Sequence, residues 1–231
     1  MHDIADALGI AWALVLSGDV GLYGIVALSL GISLTAVLLA SALGLPLGAT
    51  LAVLRFPGQN AVVVLVNALM GLPPVVAGLF VYLLLSRSGP LGGLGLLFTP
   101  GAMVLAQSVL ALPIVTALVH SATADLWREY GGALQVDGAT RLRAIPHLLA
   151  MAKRRLVTAV LAGFGRTISE VGAILIVGGN IAGYTRTMTT TIVLETSKGN
   201  LSIALGLGFV LIGISVAVSA TIFALGGREE R

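Results

Sequence analysis

Hydrophobic positions in this chain run in long, nearly unbroken blocks, with neither the strict alternation of a half-buried strand nor the one-sided stripe of a surface helix. Five blocks stand out, at residues 22–54, 61–85, 101–124, 156–177 and 201–225. A membrane-spanning helix needs about 20 predominantly apolar residues, because a rise of about 1.5 Å per residue has to cross about 30 Å of hydrocarbon. Each block meets that length, and the first is long enough to span and still project into water. Residues 4–16 are apolar but short, and Asp3, Asp6 and Asp19 flank them. They predict an interfacial helix within an outer segment at 1–20. The expected fold class is an all-α integral membrane protein with about five transmembrane helices, forming a single transmembrane domain over 1–231.

Composition removes the soluble alternative. Hydrophobic residues make up 57% of the chain and charged residues 10%, against about 25% charged in ordinary soluble domains. With no cysteine, disulfide frameworks and cysteine-based metal or redox chemistry are excluded. A net charge of +3 could indicate nucleic acid, but the basic residues cluster in short segments between apolar blocks, as topology signals do. With the N-terminus outside, the inner side receives Arg55, Arg128, Arg141, Arg143, Lys153, Arg154, Arg155, Arg228 and Arg231. The outer side receives Arg87, Arg186 and Lys198, while Arg166 falls within a block. This bias predicts an outer N-terminus and a cytoplasmic C-terminus. The first residues lack the positive region of a cleavable signal, so the mature helices are expected to direct insertion.

Four features are candidates for function. Gly71-Leu72-Pro73-Pro74 falls near the middle of the second block and Leu112-Pro113 near the middle of the third. Proline removes a backbone donor and clashes with the preceding turn, so Pro73, Pro74 and Pro113 should each kink or interrupt a helix. Irregular backbone at that depth is tolerated only where protein or a water-filled cavity satisfies it. These breaks therefore either line a pathway or are ordinary kinks. Arg166 and Glu170 are separated by one helical turn on one predicted face, and Arg166 lies roughly 16 Å beyond Arg155 at helical rise. They read as an intramembrane pair, either gating or structural.

Residues 178–191 combine glycines, Asn180, Arg186, Thr187 and further threonines. Free amides, hydroxyls and one cation suit brief contact with an oxyanion; helix-capping threonines in a polar surface loop are the alternative. Residues 125–155 are amphipathic in places, with Trp127, Leu134, Val136, Leu142 and Ile145 among polar positions and a turn expected at Gly138. Such a segment docks in a partner's groove or lies on lipid headgroups.

No phosphate-binding G-x-x-x-x-G-K-[ST], zinc-type H-E-x-x-H or nucleophile-elbow G-x-S-x-G occurs. His2, His120 and His147 lack metal-ligand spacing. The chain reads as a transport subunit without an ATPase site, catalytic residue, metal or cofactor of its own. No internal repeat of the kind found in many secondary transporters is visible, although an ion-gradient-driven secondary transporter or channel remains the alternative class.

Gly178-Gly179-Asn180-Ile181, preceded by Arg166-Thr167-Ile168-Ser169-Glu170-Val171-Gly172-Ala173, resembles the molybdate/tungstate class of ABC-importer permeases. The stretches at 186–200 (RTMTTTIVLETSKGN), 71–79 (GLPPVVAGL) and 84–100 (LLSRSGPLGGLGLLFTP) resemble the tungstate-type permease more narrowly. The resemblance extends from about Asp19 to the last block. It implies a type I ABC-importer permease fold in a bacterial or archaeal inner membrane, importing tungstate, molybdate or a related oxyanion by alternating access. Residues 125–155 become the cytoplasmic coupling segment. Gly132-Ala133-Leu134 stands where the family has Glu-Ala-Ala, so Ala133 and Gly138 match, and Ala139 follows the glycine. A short docking helix over 133–143, with Arg141 and Arg143 as rim contacts, is the implied ATPase-coupling element. The implied partners are a second permease copy, two cytoplasmic ATPase subunits that bind ATP and Mg, an external oxyanion-binding protein and membrane lipid, with no nucleic acid.

Overall fold

In hydrocarbon the backbone has no water to bond, so the helix, which pairs its own amides and carbonyls, is the default for every long apolar block. The computed structural model describes residues 20–226 together with Gly9, Trp12 and Ala13. The expected interfacial helix at 4–16 lies almost wholly outside the described residues, as do Arg228 and Arg231. The helices are α1 (Val20–Val53), α2 (Gln59–Leu69), α3 (Pro74–Leu85), α4 (Pro100–Val136), α5 (Arg141–Met151), α6 (Lys153–Ile168), α7 (Gly172–Gly178), α8 (Met188–Ser197) and α9 (Leu201–Gly226), with a 3-10 turn at Gly92–Leu94 between α3 and α4. No strand occurs among the described residues. Helices α1, α4 and α9 are each long and apolar enough to cross a membrane, and the spans number up to five if α2 with α3, and α6 with α7, are each one broken span. The expected all-α membrane fold is the observed one.

The proline positions behave differently, and the difference is local. Pro73 and Pro74 remove two consecutive donors, and the residue before a proline is driven out of helical geometry. Pro73 accordingly sits at φ −62°, ψ 128° as the cap of α3, with Pro74 at its first turn. Pro113 does not interrupt its helix, since α4 runs through it for 37 residues. A single proline forfeits one rung of the ladder, and the flanking turns keep theirs. Pro46 in α1 and Pro146 in α5 are carried in the same way. At 34 residues, α1 reaches about 51 Å, so it extends past a bilayer core as expected.

The described residues fall into two compact units. The first holds the chain up to Thr35, Pro73–Gln107 and Ile168–Ala220. Here α3 packs along α7 at backbone distance, since a Cβ on Gly78 would stand 2.6 Å from the Ala173 Cα. Gly178 is covered in the same way by Met103, whose Sδ would be 2.8 Å from an added Cβ. Phe98 N–H donates to Val177 O at 2.9 Å, and the Phe98 ring meets Tyr82 edge-on at 6.3 Å.

The second unit holds Ala36–Leu72, Ser108–Thr167 and the described residues from Thr221. Ala49, Val115, Val119 and Ala159 form its core with Leu45, Ile145, Leu149 and Leu156 around them. Small residues let α1 approach α4 closely, as is common where no hydrophobic drive separates helix from lipid. A Cβ on Gly48 would lie 2.5 Å from Thr116 O. A second cluster, Val53, Ala144 and Leu148, seats α5 with Trp127 and Leu134 packed on it. Gln59 Nε2 donates to Leu51 O at 2.7 Å, closing the carbonyl end of α1.

Gly48→Val should force α1 off α4 and lower stability by about 3 kcal/mol or more, the upper range for overpacking. Gly31→Ala, where an added Cβ meets nothing within 4 Å, should be nearly neutral. Thermal unfolding of both variants in the same detergent compares them, and equal midpoints would refute the close contact.

Candidate functional site

The chain between α6 and α7 leaves the helix after Ile168 and re-enters it at Gly172. Glu170 lies in that gap, buried at 5% exposure. Its Oε1 accepts from Ala173 N–H at 3.1 Å, and its carbonyl accepts from Thr189 Oγ1 at 2.9 Å. The expectation that Arg166 and Glu170 share one helical face is therefore corrected, because the helix stops between them. The carboxylate bonds a backbone amide and so stabilises the end of a helix in preference to its interior. Arg166 extends from α6 within the second unit, where its guanidinium donates to Leu72 O at 3.3 Å. That carbonyl belongs to the α2–α3 break, so a charged side chain satisfies backbone within the break.

Within the first unit the two interruptions are neighbours. A Cβ on Gly172 would lie 3.0 Å from Val75 Cγ2 and 3.6 Å from Val75 N. The N-terminal ends of α3 and α7 thus meet, with Pro73, Pro74 and Glu170 at one place. Pro113 and Arg166 belong to the second unit.

Residues 178–191 form a hydrogen-bonded knot. After α7 the backbone turns left-handed at Gly179 (φ 70°) and Asn180 (φ 50°), a conformation that asparagine tolerates better than most residues. The Thr185 hydroxyl donates to Gly178 O at 2.6 Å and accepts from Ile181 N–H at 2.9 Å. Arg186 folds over the same turn, donating from Nε to Asn180 Oδ1 at 3.3 Å and from its terminal nitrogen to Asn180 O at 3.4 Å. Thr187 then caps α8 reciprocally with Thr190. Met188 N–H donates to Ser29 Oγ at 2.9 Å, fixing the start of α8 against α1.

Asn180, Arg186 and Thr187 are thus brought together. The capping reading of the threonines holds, but the surface reading does not: Thr185, Thr187, Thr189 and Thr190 are buried. Their hydroxyls serve the backbone, while residues 181–184 are the exposed part of this loop. Ser29, Thr185 and Thr189 are positioning residues that the sequence reading did not single out. The threonine run was a signal for the latter two; nothing in the sequence marked Ser29. Beyond α8, Lys198 and Asn200 each donate to Glu195 at 2.7 Å. Those hydrogen bonds, Lys198 first, hold the Glu195 carboxyl below its ordinary range, and the field of Arg186 adds to them.

In the second unit the predicted turn at Gly138 is present, at φ 85°. Ala139 N–H reaches Leu134 O at 2.9 Å and Gly138 N–H reaches Gln135 O at 3.1 Å, the pattern by which a left-handed glycine closes a helix. The short docking helix expected over 133–143 is corrected accordingly. Ala133 lies in the last turn of α4, Gly138 and Ala139 form the turn, and Arg141 and Arg143 begin α5, which Thr140 caps by accepting from Arg143 N–H. Arg141 donates to Val53 O at 3.5 Å, whereas Arg143 is exposed. The apolar positions sort into two sets. Trp127, Leu134 and Ile145 pack inward, while Val136 and Leu142 stand 88% and 58% exposed on either side of the turn.

Glu170→Ala should lower stability by about 1–2 kcal/mol through loss of the bond to the α7 amide, whereas Glu170→Gln keeps an acceptor and should stay near the parent. Chemical denaturation in micelles separates the two, and equal losses would show that the charge, not the cap, is what matters.

Residues 44–226 match the family described as binding-protein-dependent transport system inner membrane component. A probable anion ABC transporter permease protein of Haloferax volcanii is 43% identical over 204 residues, covering 86% of this chain and 88% of that protein. A tungstate uptake system permease protein of Peptoclostridium acidaminophilum is 39% identical over 230 residues and 100% of both chains. A molybdenum transport system permease protein of Azotobacter vinelandii is 33% identical over 173 residues, covering 69% of this chain and 74% of that one. This chain belongs to the family of inner-membrane components of binding-protein-dependent transport systems.

Proposed function

We propose that this chain is the permease subunit of an ATP-driven importer that carries tungstate, or molybdate or a related oxyanion, into the cytoplasm by alternating access. The observation that carries the reading is the end-to-end similarity to a tungstate uptake permease, supported by the molybdenum permeases at lower identity. The chain has no phosphate loop, so ATP and Mg are bound by a partner. The complete machine holds two copies of this chain, two cytoplasmic ATPase subunits and an external oxyanion-binding protein. Its N-terminus is outside and its C-terminus cytoplasmic, which the distribution of Arg and Lys supports.

In this reading residues 125–155 receive the ATPase. Val136 and Leu142 enter a groove on that partner, and the Gly138–Ala139 turn sets the angle between them. Ala133 borders the contact, and Arg143 and Arg141 lie at its rim. The conduit follows the interrupted spans, with the adjoining ends of α3 and α7 at Pro73, Pro74 and Glu170. Pro113 on α4 and Arg166 on α6 are pathway or gate residues of the second unit. Asn180, Arg186 and Thr187 shape the outer entrance, where the binding protein delivers its load.

Reconstitution with a candidate ATPase in liposomes, with binding protein and radiolabelled anion outside, tests the assignment. Tungstate uptake should require ATP and both partners; uptake driven by an imposed ion gradient alone would overturn it in favour of a secondary transporter. Two variants locate the coupling. Gly138→Pro cannot adopt a positive φ and should abolish uptake while membrane insertion persists. Val136→Asp changes an exposed side chain, so stability should move by no more than about 0.5 kcal/mol, yet ATPase co-purification should fall at least tenfold. Full ATPase binding by that variant would remove the turn from the contact.

A further inference from the structure

Apart from these elements, α4 and α6 enclose an open groove of about 330 Å³ in the second unit. Its character changes along its length. At one end Asp125 accepts from Arg155 at 2.9 Å and also from Arg128, so the mouth carries two cations against one carboxylate. Lys153 and Arg154 are exposed on the first turn of α6 beside it. About one helical turn further in, Ser121 and Thr158 line the walls. Thr158 spends its hydrogen on Arg154 O at 3.2 Å, leaving the Ser121 hydroxyl on the open side. At the far end the lining is apolar, with Leu118 on α4 and Ala159 on α6.

The two helices run in opposite directions here. Asp125 meets Arg155 at the mouth, while Leu118, Val119, Leu156 and Ala159 meet below it in the core. The mouth coincides with the end of the apolar block at 101–124, which is where a membrane-spanning helix passes the level of lipid headgroups. A groove with a cationic rim at headgroup depth and a hydrocarbon floor matches one class of ligand. A soluble anion would leave the apolar floor uncovered. A zwitterionic lipid would gain little from the excess positive charge at the rim.

We propose that the α4–α6 groove binds one anionic phospholipid, its phosphate against Arg155 and Arg128 and an acyl chain over Leu118. The lipid closes a seam between two helices and screens their like charges, so it acts as a structural ligand of the second unit. This site depends only on the chain's insertion in a membrane and stands apart from the identity of the transported anion.

Native mass spectrometry of the full chain in mild detergent tests it, with phosphatidylglycerol and phosphatidylcholine of identical acyl chains as probes. Phosphatidylglycerol should be retained at one copy per chain and preferred about fivefold or more, the effect of about one basic residue at an anionic headgroup. Arg155→Gln should erase that preference and Arg155→Lys should keep most of it. Ser121→Leu, an exposed position on the groove wall, should block retention of the lipid without altering charge, and it decides the matter if Arg155→Gln fails to fold. Equal retention of the two lipids, or retention unchanged in Ser121→Leu, overturns the proposal. So does displacement by soluble glycerol phosphate at the concentration at which the lipid itself competes, which would assign the groove to a free phosphate.

Discussion

A peptide group left unpaired in hydrocarbon costs several kcal/mol, and this chain interrupts its helices at depth. Each interruption is closed by a particular side chain. Arg166 takes the carbonyl of Leu72, Glu170 takes the first amide available in α7, and Thr189 takes the carbonyl of Glu170. Thr185 alone serves both a carbonyl and an amide after α7. These residues are what permit a membrane protein to carry short helices such as α3, α7 and α8 among its long ones.

Close approach of helices follows from the same solvent. Lipid tails are as apolar as leucine, so helices gain little from merely hiding hydrophobic surface and associate through contact area and hydrogen bonds. Gly48 against Thr116 and Gly78 against Ala173 bring backbones together, and alanines fill much of both cores. Large apolar side chains point outward instead, as Leu38, Val64, Phe80 and Val216 do. On a soluble protein that would be a liability; here the exposed side faces lipid or another subunit.

The buried polar groups described here hold shape. Buried threonines bind the turn after α7, the reciprocal Thr187–Thr190 cap starts α8, and the left-handed turn at Gly138 ends α4. The exposed Val136 and Leu142 flank this turn, on helices anchored by Trp127, Leu134, Ala144 and Leu148.

Much of this was legible from sequence. Block length gave the spans, because the bilayer sets it and side-chain detail hardly enters. The Pro73-Pro74 break and the Gly138 turn were readable because proline geometry and left-handed glycine are local properties of the backbone. Pro113 was not, since whether one lost hydrogen bond interrupts a helix depends on the ladder and packing around it. The i, i+4 spacing of Arg166 and Glu170 placed both on one face only while the helix was assumed continuous, and the helix stops at Ile168. Threonines that resembled a ligand-facing surface are buried in backbone contacts, and only the fold decides whether a hydroxyl meets solvent or a carbonyl. Sequence by itself therefore determined the solvent, the helices and the family features, which are local or compositional. Tertiary structure decided the partners of each buried polar group and which apolar residues of residues 125–155 face outward, because both depend on groups brought together from distant parts of the chain.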